Sequence, residues 1–181
     1  MRIASKMALI AALALLAISF LTQAQTLSEP TLTERLQQLE DRAALKALVD
    51  TFSNLADTKS VDAQVLLFTE DATVDSWSGG KQVSSFTGRK QIGEAFSAYL
   101  ALFDTVYHMN GQQTVELHGD GATGVSYCLV VLIGKDGDRR FRNTAGVIYH
   151  DEYVRRDGRW LIAKRISNFT WRSREEVPAA D

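Results

Sequence analysis

The spacing of apolar residues changes once along this chain, near residue 107. Before that point, apolar side chains recur every three to five residues, as they do on one face of an amphipathic helix. After it, apolar and polar positions alternate residue by residue, which is typical of half-buried strands. The sequence therefore predicts a largely helical first half and a sheet in the second half.

These patterns predict three helices, one short hairpin and four long strands. The first helix begins at a capping box, Thr31-x-x-Glu34, and Ser60 is placed to cap the second helix. Turns rich in Gly and Asp separate the long strands. The predicted helices span 32–57, 61–68 and 88–103, the hairpin strands 72–77 and 83–86, and the long strands 112–117, 122–133, 139–155 and 159–171.

Consecutive strands joined by hairpins pair antiparallel, and the preceding helices must cover one face of the resulting sheet. The order of elements therefore predicts an α+β fold, in which a curved antiparallel sheet forms a cone packed against three N-terminal helices. The interior of such a cone can hold a small molecule. Tyr107–Gly111 is expected just ahead of the sheet, at the mouth of this pocket.

Residues 1–24 are typical of a secretory signal peptide. Arg2 and Lys6 precede an apolar run from Met7 to Leu21, and Thr22-Gln23-Ala24 fits a small-x-small cleavage site. The run is shorter than the roughly 20 apolar residues of a membrane span, and an uncleaved N-terminal anchor is the alternative. We therefore expect a periplasmic or secreted protein without stable membrane insertion after cleavage. Its predicted parts are a leader over 25–30, a domain over 31–172 and a flexible tail over 173–181.

Composition narrows the classes of partner. The chain carries 20 Lys and Arg against 22 Asp and Glu, a formal net charge of −2. Mild acidity without a basic block argues against nucleic acid and anionic membrane surfaces as partners. The single cysteine, Cys128, cannot form an internal disulfide, and its apolar strand context favours a buried packing role.

The three histidines are the main candidates for proton transfer or metal binding. They show neither His-x-His nor i, i+4 spacing, so no metal site is predicted. His118 adjoins a Gly-Asp-Gly turn and is expected to be solvated, whereas His150 either faces the pocket or pairs on the outer face. The sequence has no P-loop, dinucleotide-binding glycine fingerprint or nucleophile elbow, and no cofactor is expected.

Five short segments, taken in their order and spacing, resemble a known family. The segments are Ala56–Ser60, Leu67–Ala72, Gly88-Arg89, Tyr107–Gly111 and Tyr153–Trp160. Together they resemble the SnoaL-like group of the nuclear-transport-factor-2-like superfamily, which includes scytalone dehydratase. The resemblance covers residues 31–172 and implies the cone-shaped fold, but this fold hosts both enzymes and non-enzymatic binding proteins.

The resemblance also implies a catalytic pair. Dehydratase-type members place a catalytic aspartate at the position of Asp57 and a catalytic histidine at that of His108. Three other positions depart from their pattern, since Ala56 and Ser76 stand where tyrosines occur and the strand over 122–133 lacks a second histidine. Dehydration of scytalone itself is therefore not expected.

The chemistry of such a pair can be stated from the residues alone. A carboxylate bound to one imidazole nitrogen fixes the tautomer, and the other nitrogen can then move a proton. Asp57 and His108 would suit removal of a proton α to a carbonyl, followed by loss of a hydroxyl or reprotonation elsewhere, without metal or cofactor. The sequence thus favours a dehydratase or isomerase acting on a small cyclic or polyketide-like carbonyl compound. A non-catalytic small-ligand-binding protein is the alternative, and assembly as a homodimer or homotrimer is possible with either.

Four further residues are candidates for substrate contacts. Tyr127 shares a strand face with three aliphatic residues, so its hydroxyl would need a partner on an apolar wall. Phe52 and Trp77 either line the pocket or pack in the core. Asn143 interrupts an apolar strand and marks either a β-bulge or an amide that orients a ligand.

Overall fold

The structure is a computed structural model that describes residues 29–178. The chain divides into two compact units, of which Leu36–Asp181 contains the sheet. The predicted signal peptide, residues 25–28 of the leader and the last three residues of the tail lie outside the described residues. Within 29–178, no helix is both long enough and apolar enough to cross a membrane.

The described residues form three α-helices, a short 3-10 helix and six strands. The helices are α1 (Leu32–Asp57), α2 (Val61–Gln64) and α3 (Gly88–Leu100), with the 3-10 helix at Val65–Leu67. The strands are β1 (Phe68–Ser78), β2 (Lys81–Thr87), β3 (Thr105–His118), β4 (Gly121–Asp136), β5 (Arg139–Arg156) and β6 (Arg159–Val177).

The predicted capping box begins α1. The Thr31 backbone N–H donates to the Glu34 carboxylate at 2.7 Å, and the Glu34 N–H donates to the Thr31 hydroxyl at 3.2 Å. Two backbone donors that have no partner within the helix are thereby satisfied. Ser60, the predicted cap of α2, makes no such side-chain bond. The end of α1 has its own signal: just after the helix, Lys59 adopts a left-handed conformation with φ of 55°.

The six strands form one curved, unclosed sheet in the order β2-β1-β6-β5-β4-β3, and the predicted fold class is confirmed. Every neighbouring pair is antiparallel except β1 and β6, which run parallel. This pairing joins the first strand to the last and places β6 near the centre of the sheet. The hairpin pattern in the sequence did not predict it.

The helix α1 packs its apolar stripe against the inner, concave face of this sheet. Leu45, Val49 and Phe52 of α1 belong to one buried cluster with residues of β1 and β6, and Ala56 belongs to a second with residues of β3, β4 and β5. Both clusters consist of side chains from alternate strand positions, as a sheet covered on one face requires. The core therefore lies between α1 and the sheet and extends along most of its width.

Several strand boundaries differ from the sequence prediction, and two of them, the start of β3 and the end of β6, differ most. The strand β3 begins at Thr105, so Tyr107–Gly111 lies within the sheet rather than ahead of it. The strand β6 continues to Val177 through residues assigned to the flexible tail. Cross-strand ion pairs extend it, with Arg174 bound to Asp136 at 2.7 Å.

Candidate active site

Asp57 and His108 are brought together at the C-terminal end of α1. His108 Nδ1 lies 2.7 Å from Asp57 Oδ1, and the backbone N–H of His108 donates to Asp57 Oδ2 at 3.3 Å. Because a carboxylate can only accept, Nδ1 carries the proton and Nε2 keeps its lone pair. The His108 side chain is 9% exposed and that of Asp57 is 25% exposed.

Asn110 fixes the position of β3 against α1 beside this pair. Its amide donates to Asp50 Oδ1 at 3.0 Å and to the carbonyl of Val49 at 3.3 Å, and its Oδ1 accepts from the Ser53 hydroxyl at 3.0 Å. Since His108 and Asn110 share one face of β3, these bonds also set where the imidazole meets Asp57. The Asn of the segment Tyr107–Gly111 thus positions the histidine.

A cavity of about 860 Å³ lies between the helices and the concave face of the sheet. His108 lines it, whereas Asp57 stands behind the imidazole and does not. No described residue forms a hydrogen bond with His108 Nε2, which is the ring nitrogen left to meet a ligand. Most of the wall is apolar, with Phe96, Leu100 and Val130 among its residues.

Burial lowers the pKa of His108 below its ordinary value of 6.5. Asp57 opposes this shift through its hydrogen bond and its charge, and the positive charge of Arg165 adds to it. The net direction favours the neutral imidazole at neutral pH. A neutral histidine with a free Nε2 can act as a general base, and the carboxylate stabilises the imidazolium that then forms.

A second polar cluster on the cavity wall was not found from the sequence. Arg165 is fully buried and lines the cavity between the rings of Phe52 and Tyr149, with its Cζ 4.2 Å and 4.3 Å from the two ring centroids. Behind it, Asp151 accepts two hydrogen bonds from the guanidinium, at 2.8 Å and 2.7 Å, and one from the Tyr153 hydroxyl at 2.8 Å. The inner end of the cavity therefore carries a fixed positive charge held by a buried carboxylate.

Arg165 could not be placed from the sequence because the pairing of β5 with β6 contains a register shift. The pairing of β5 with β6 is irregular between Glu152 and Tyr153, so Trp160 and Ile162 share the concave face with Arg165 although their spacing is odd. Strict alternation would put Arg165 on the opposite face. Asp151 was missed as well, although it lies in phase with the buried Tyr149 and Tyr153.

Two of the four proposed substrate-contacting residues line the cavity. Phe52 is 6% exposed and packs edge-to-face against Phe68 and Phe96, so it belongs to both the core and the wall. Asn143 also lines the cavity, and its partner on β4 is Leu132 in regular register. The bulge lies instead between Gly146 and Val147. Asn143 therefore marks no bulge, its amide donates to the Leu132 carbonyl at 3.5 Å, and its role in orienting a ligand stays a prediction.

Tyr127 and Trp77 do not line the cavity, which corrects the expectation drawn from the sequence. Residues at even positions of β4, such as Cys128 and Val130, face inward, and Tyr127 lies on the convex face with 42% of its surface exposed. Both faces of β4 are apolar, so alternation alone could not tell inside from outside. On β1, Ser76 lines the cavity and the next residue, Trp77, does not.

Tyr127 belongs to an exposed apolar patch on the convex face of the sheet. Tyr107, Met109 and Trp171 are each about half exposed there. The patch is continuous across strands, since Met109 pairs with Leu129, Leu129 with Gly146, and Gly146 with Trp171. Contiguous exposed apolar side chains of this kind are typical of interaction surfaces.

The remaining histidines lie outside the cavity. His118 ends β3 and His150 is exposed on β5, on the face opposite to Tyr149. Within the described range, no group of three His, Cys, Asp or Glu side chains is arranged to hold a metal ion.

Comparison with known proteins agrees with the fold. The family model of the SnoaL-like domain matches residues 37–166, a range that contains most of α1, the whole of β1 to β5 and most of the cavity wall. The chain belongs to the SnoaL-like family. An uncharacterised protein of Mycobacterium tuberculosis is 28% identical over 130 residues, which cover 71% of this chain and 85% of the relative.

Several solved structures are similar to this SnoaL-like chain. The protein named "Putative Scytalone Dehydratase" from Novosphingobium aromaticivorans has a TM-score of 0.68 and 21% identity, over 80% of this chain and 93% of that one. A hexachlorocyclohexane dehydrochlorinase has a TM-score of 0.66 and 18% identity, over 81% and 95%. At these identities, the likeness concerns the fold.

Proposed function

We propose that this protein is a cofactor-independent lyase or isomerase that removes a proton α to a carbonyl in a small cyclic or polyketide-like compound. The observation that carries the proposal is the 2.7 Å contact between His108 Nδ1 and Asp57 Oδ1, with the imidazole on the wall of a mostly apolar cavity. His108 Nε2 takes the proton, and Asp57 holds the ring and stabilises its charged form.

Arg165 supports this chemistry through its charge. Removing an α-proton places negative charge on the carbonyl oxygen, and a fixed cation near the inner end of the cavity stabilises that charge in a medium of low dielectric constant. The protonated His108 then gives the proton back. Delivery to another carbon of the substrate is isomerisation, and delivery to a hydroxyl, which leaves as water, is dehydration. The solved structures named for dehydratase and dehydrochlorinase activity share this fold and are consistent with an elimination.

The proposal can be tested before the substrate is known, because proton abstraction exchanges hydrogen for deuterium. A panel of cyclic ketones and β-hydroxy ketones is incubated with the protein in D₂O, and α-deuteration and loss of water are followed by NMR. We expect His108→Gln and Asp57→Asn to lower the rate about 10²–10⁴-fold for a compound that the wild type processes. The matched control is His118→Gln, which removes a histidine outside the cavity.

A specific observation favours a second candidate, a non-catalytic small-ligand-binding protein. Ser76 faces the cavity where the dehydratase pattern has a tyrosine, and strand β4 supplies no second histidine. In that case a small molecule co-purifies in native mass spectrometry and its occupancy is the same in His108→Gln. No compound would exchange in D₂O, which would rule out the catalytic proposal.

We also propose that the protein is exported to the periplasm or secreted, on the basis of the signal-like residues 1–24. Cell fractionation with mass determination of the mature N-terminus tests this, and an unprocessed cytoplasmic chain would contradict it.

Finally, we propose that the protein forms a homodimer or homotrimer through the convex patch around Tyr127. Light scattering after size-exclusion chromatography should show an oligomer that Tyr127→Asp converts to monomer. Thr123→Asp, on the same strand face but away from the large apolar side chains, is the control. A wild-type monomer at micromolar concentration would contradict the assembly.

A further inference from the structure

The charged residues that line the cavity are mostly of one sign. Lys135, Arg165, Arg172 and Arg174 are cationic, and Asp136 is anionic. The chain as a whole has a formal net charge of −2. A cavity with excess positive charge inside an acidic protein is unexpected from composition, and its low-dielectric walls focus the field on whatever enters.

Two of these cations are already neutralised. Arg174 forms an ion pair with Asp136 at 2.7 Å, and Arg165 is held by Asp151. Arg172 and Lys135 differ, because neither forms an ion pair or a side-chain hydrogen bond with any residue in the described part of the chain. Lys135, however, occupies an odd position of β4, so its side chain points to the convex face. The excess positive charge inside the cavity therefore lies on Arg172, which is exposed at the outer end.

The contrast with neighbouring arginines is local. Arg142, on the adjacent strand end, binds Glu175 at 2.7 Å, and Arg139 lies 3.6 Å from Glu176. Neither of these arginines lines the cavity. Among the described arginines at this end of the sheet, Arg139, Arg142 and Arg174 have carboxylate partners. Arg172 in the cavity wall and Arg140 outside it have none.

Arg172 is also held in place and accompanied by a hydrogen-bond donor. Its Cζ lies 4.0 Å from the centroid of the Phe169 ring, which lines the same cavity. Tyr99 lines the cavity as well, and burial raises the pKa of its phenol while the charge of Arg172 opposes that rise. The Tyr99 phenol therefore keeps its proton at neutral pH, and both side chains offer hydrogen-bond donors from the wall of the same cavity.

We propose that the cavity binds an amphipathic anion, whose carboxylate or similar oxyanion is held at the outer end by Arg172, with the Tyr99 hydroxyl. The apolar body of the ligand fills the cavity toward His108. This inference rests on the proposed function only for the identity of the reacting end, and it gives the substrate class as a carbonyl compound that also bears an acid group.

Two fluorescent dyes of nearly equal shape test the proposal. 1-Anilinonaphthalene-8-sulfonate carries an anionic group, and N-phenyl-1-naphthylamine is its neutral counterpart. We expect Arg172→Gln to weaken binding of the anionic dye about tenfold or more, because a charge-assisted contact is lost, and to change binding of the neutral dye less than about twofold.

Arg142→Gln is the matched control, since it removes the same charge from the same edge of the sheet but outside the cavity. If Arg142→Gln and Arg172→Gln weaken binding of the anionic dye equally, the affinity depends only on the overall charge of the protein and the proposal is wrong. An equal loss of both dyes in Arg172→Gln would also overturn it. The proposal would also be overturned if Tyr127→Ser abolished dye binding and Arg172→Gln left it unchanged, because the dyes would then lie on the convex face.

The same measurement separates this inference from the catalytic proposal. Dye binding needs no proton transfer, so His108→Gln should bind both dyes like the wild type. If Arg172→Gln weakened both dyes equally, the anion-binding proposal would be wrong, but the proposed proton transfer by Asp57 and His108 would not be contradicted. Loss of deuterium exchange in every variant leaves the anion site untouched.

Discussion

Replacing Asp151 with Asn should destabilise the protein far more than most single substitutions. The side chains of Asp151 and Arg165 are 0% and 1% exposed, and the carboxylate accepts three hydrogen bonds of 2.7–2.8 Å. The substitution leaves a buried guanidinium without its counter-charge and turns one acceptor into a donor. Breaking a buried pair in this way costs about 3–5 kcal/mol.

Urea unfolding followed by circular dichroism measures this loss. For a domain of this size, m is about 2 kcal/mol/M, so a loss of about 4 kcal/mol lowers the midpoint by about 2 M. Glu152→Gln is the matched control on the next residue, because Glu152 pairs with Lys164 at 3.2 Å on the exposed face. That change should cost less than about 1 kcal/mol.

The double substitution Asp151→Leu with Arg165→Met separates the cost of an unpaired charge from the cost of lost packing. Replacing both partners with apolar side chains leaves no charge buried alone, and we expect it to recover most of the stability lost in Asp151→Asn. An Asp151→Asn variant within about 1 kcal/mol of the wild type would refute the reasoning, since the Arg165 charge would then not depend on Asp151.

Three further predictions concern pH, a close backbone approach and a buried acceptor. Because the pKa of His108 is lowered below 6.5 in the fold, the acid limb of kcat/KM should lie below pH 6.5. The free energy of unfolding should also fall as the pH drops from 6.5 toward that lowered pKa, because the unfolded chain binds the proton more readily. An acid limb above pH 6.5, or thermal stability that rises on acidification through this range, would contradict this. Gly134→Ala should lower the free energy of unfolding by about 1–3 kcal/mol in thermal unfolding, because a Cβ there would lie 2.6 Å from a backbone carbonyl. The control Gly111→Ala, whose Cβ would have its nearest contact at 3.7 Å, should be nearly neutral. Equal melting temperatures for the two variants would contradict the prediction. Asp41→Ala removes an acceptor shared by a guanidinium at 2.6 Å and an indole at 3.1 Å, and we expect a loss of about 1.5–3 kcal/mol in urea unfolding, with an unchanged midpoint as the contrary result.

The fold was predictable because each level of the sequence indicates the same structure. The capping box Thr31-x-x-Glu34 and the apolar stripe of α1 agree on the helix, and the alternating pattern after residue 107 agrees with the long strands. The parallel pairing of β1 with β6 was not predictable in the same way. It depends on contacts between residues about 90 positions apart, such as Val74 with Arg165, and no local signal encodes them.

The candidate site was only partly predictable, and for two different reasons. Asp57 and His108 were singled out by resemblance to a family, since nothing in the spacing of residues 51 positions apart brings them together. Tyr127 was misplaced because both faces of β4 are apolar, and the alternation of a strand gives two faces without saying which is inside. Arg165 was missed because an irregularity in β6 changes the face on which it lies.

The central position of β6 has a consequence for how the chain reaches this structure. The strand β6 lies between β1 and β5, yet it is the last strand to leave the ribosome. Until it is made, β1 and β5 have unpaired edges, and Arg165 has not yet met Asp151. Pairings between such distant segments slow folding, because the chain must close a long loop before any contact forms. The sheet and the wall of the cavity are therefore completed together, in a step that requires β6.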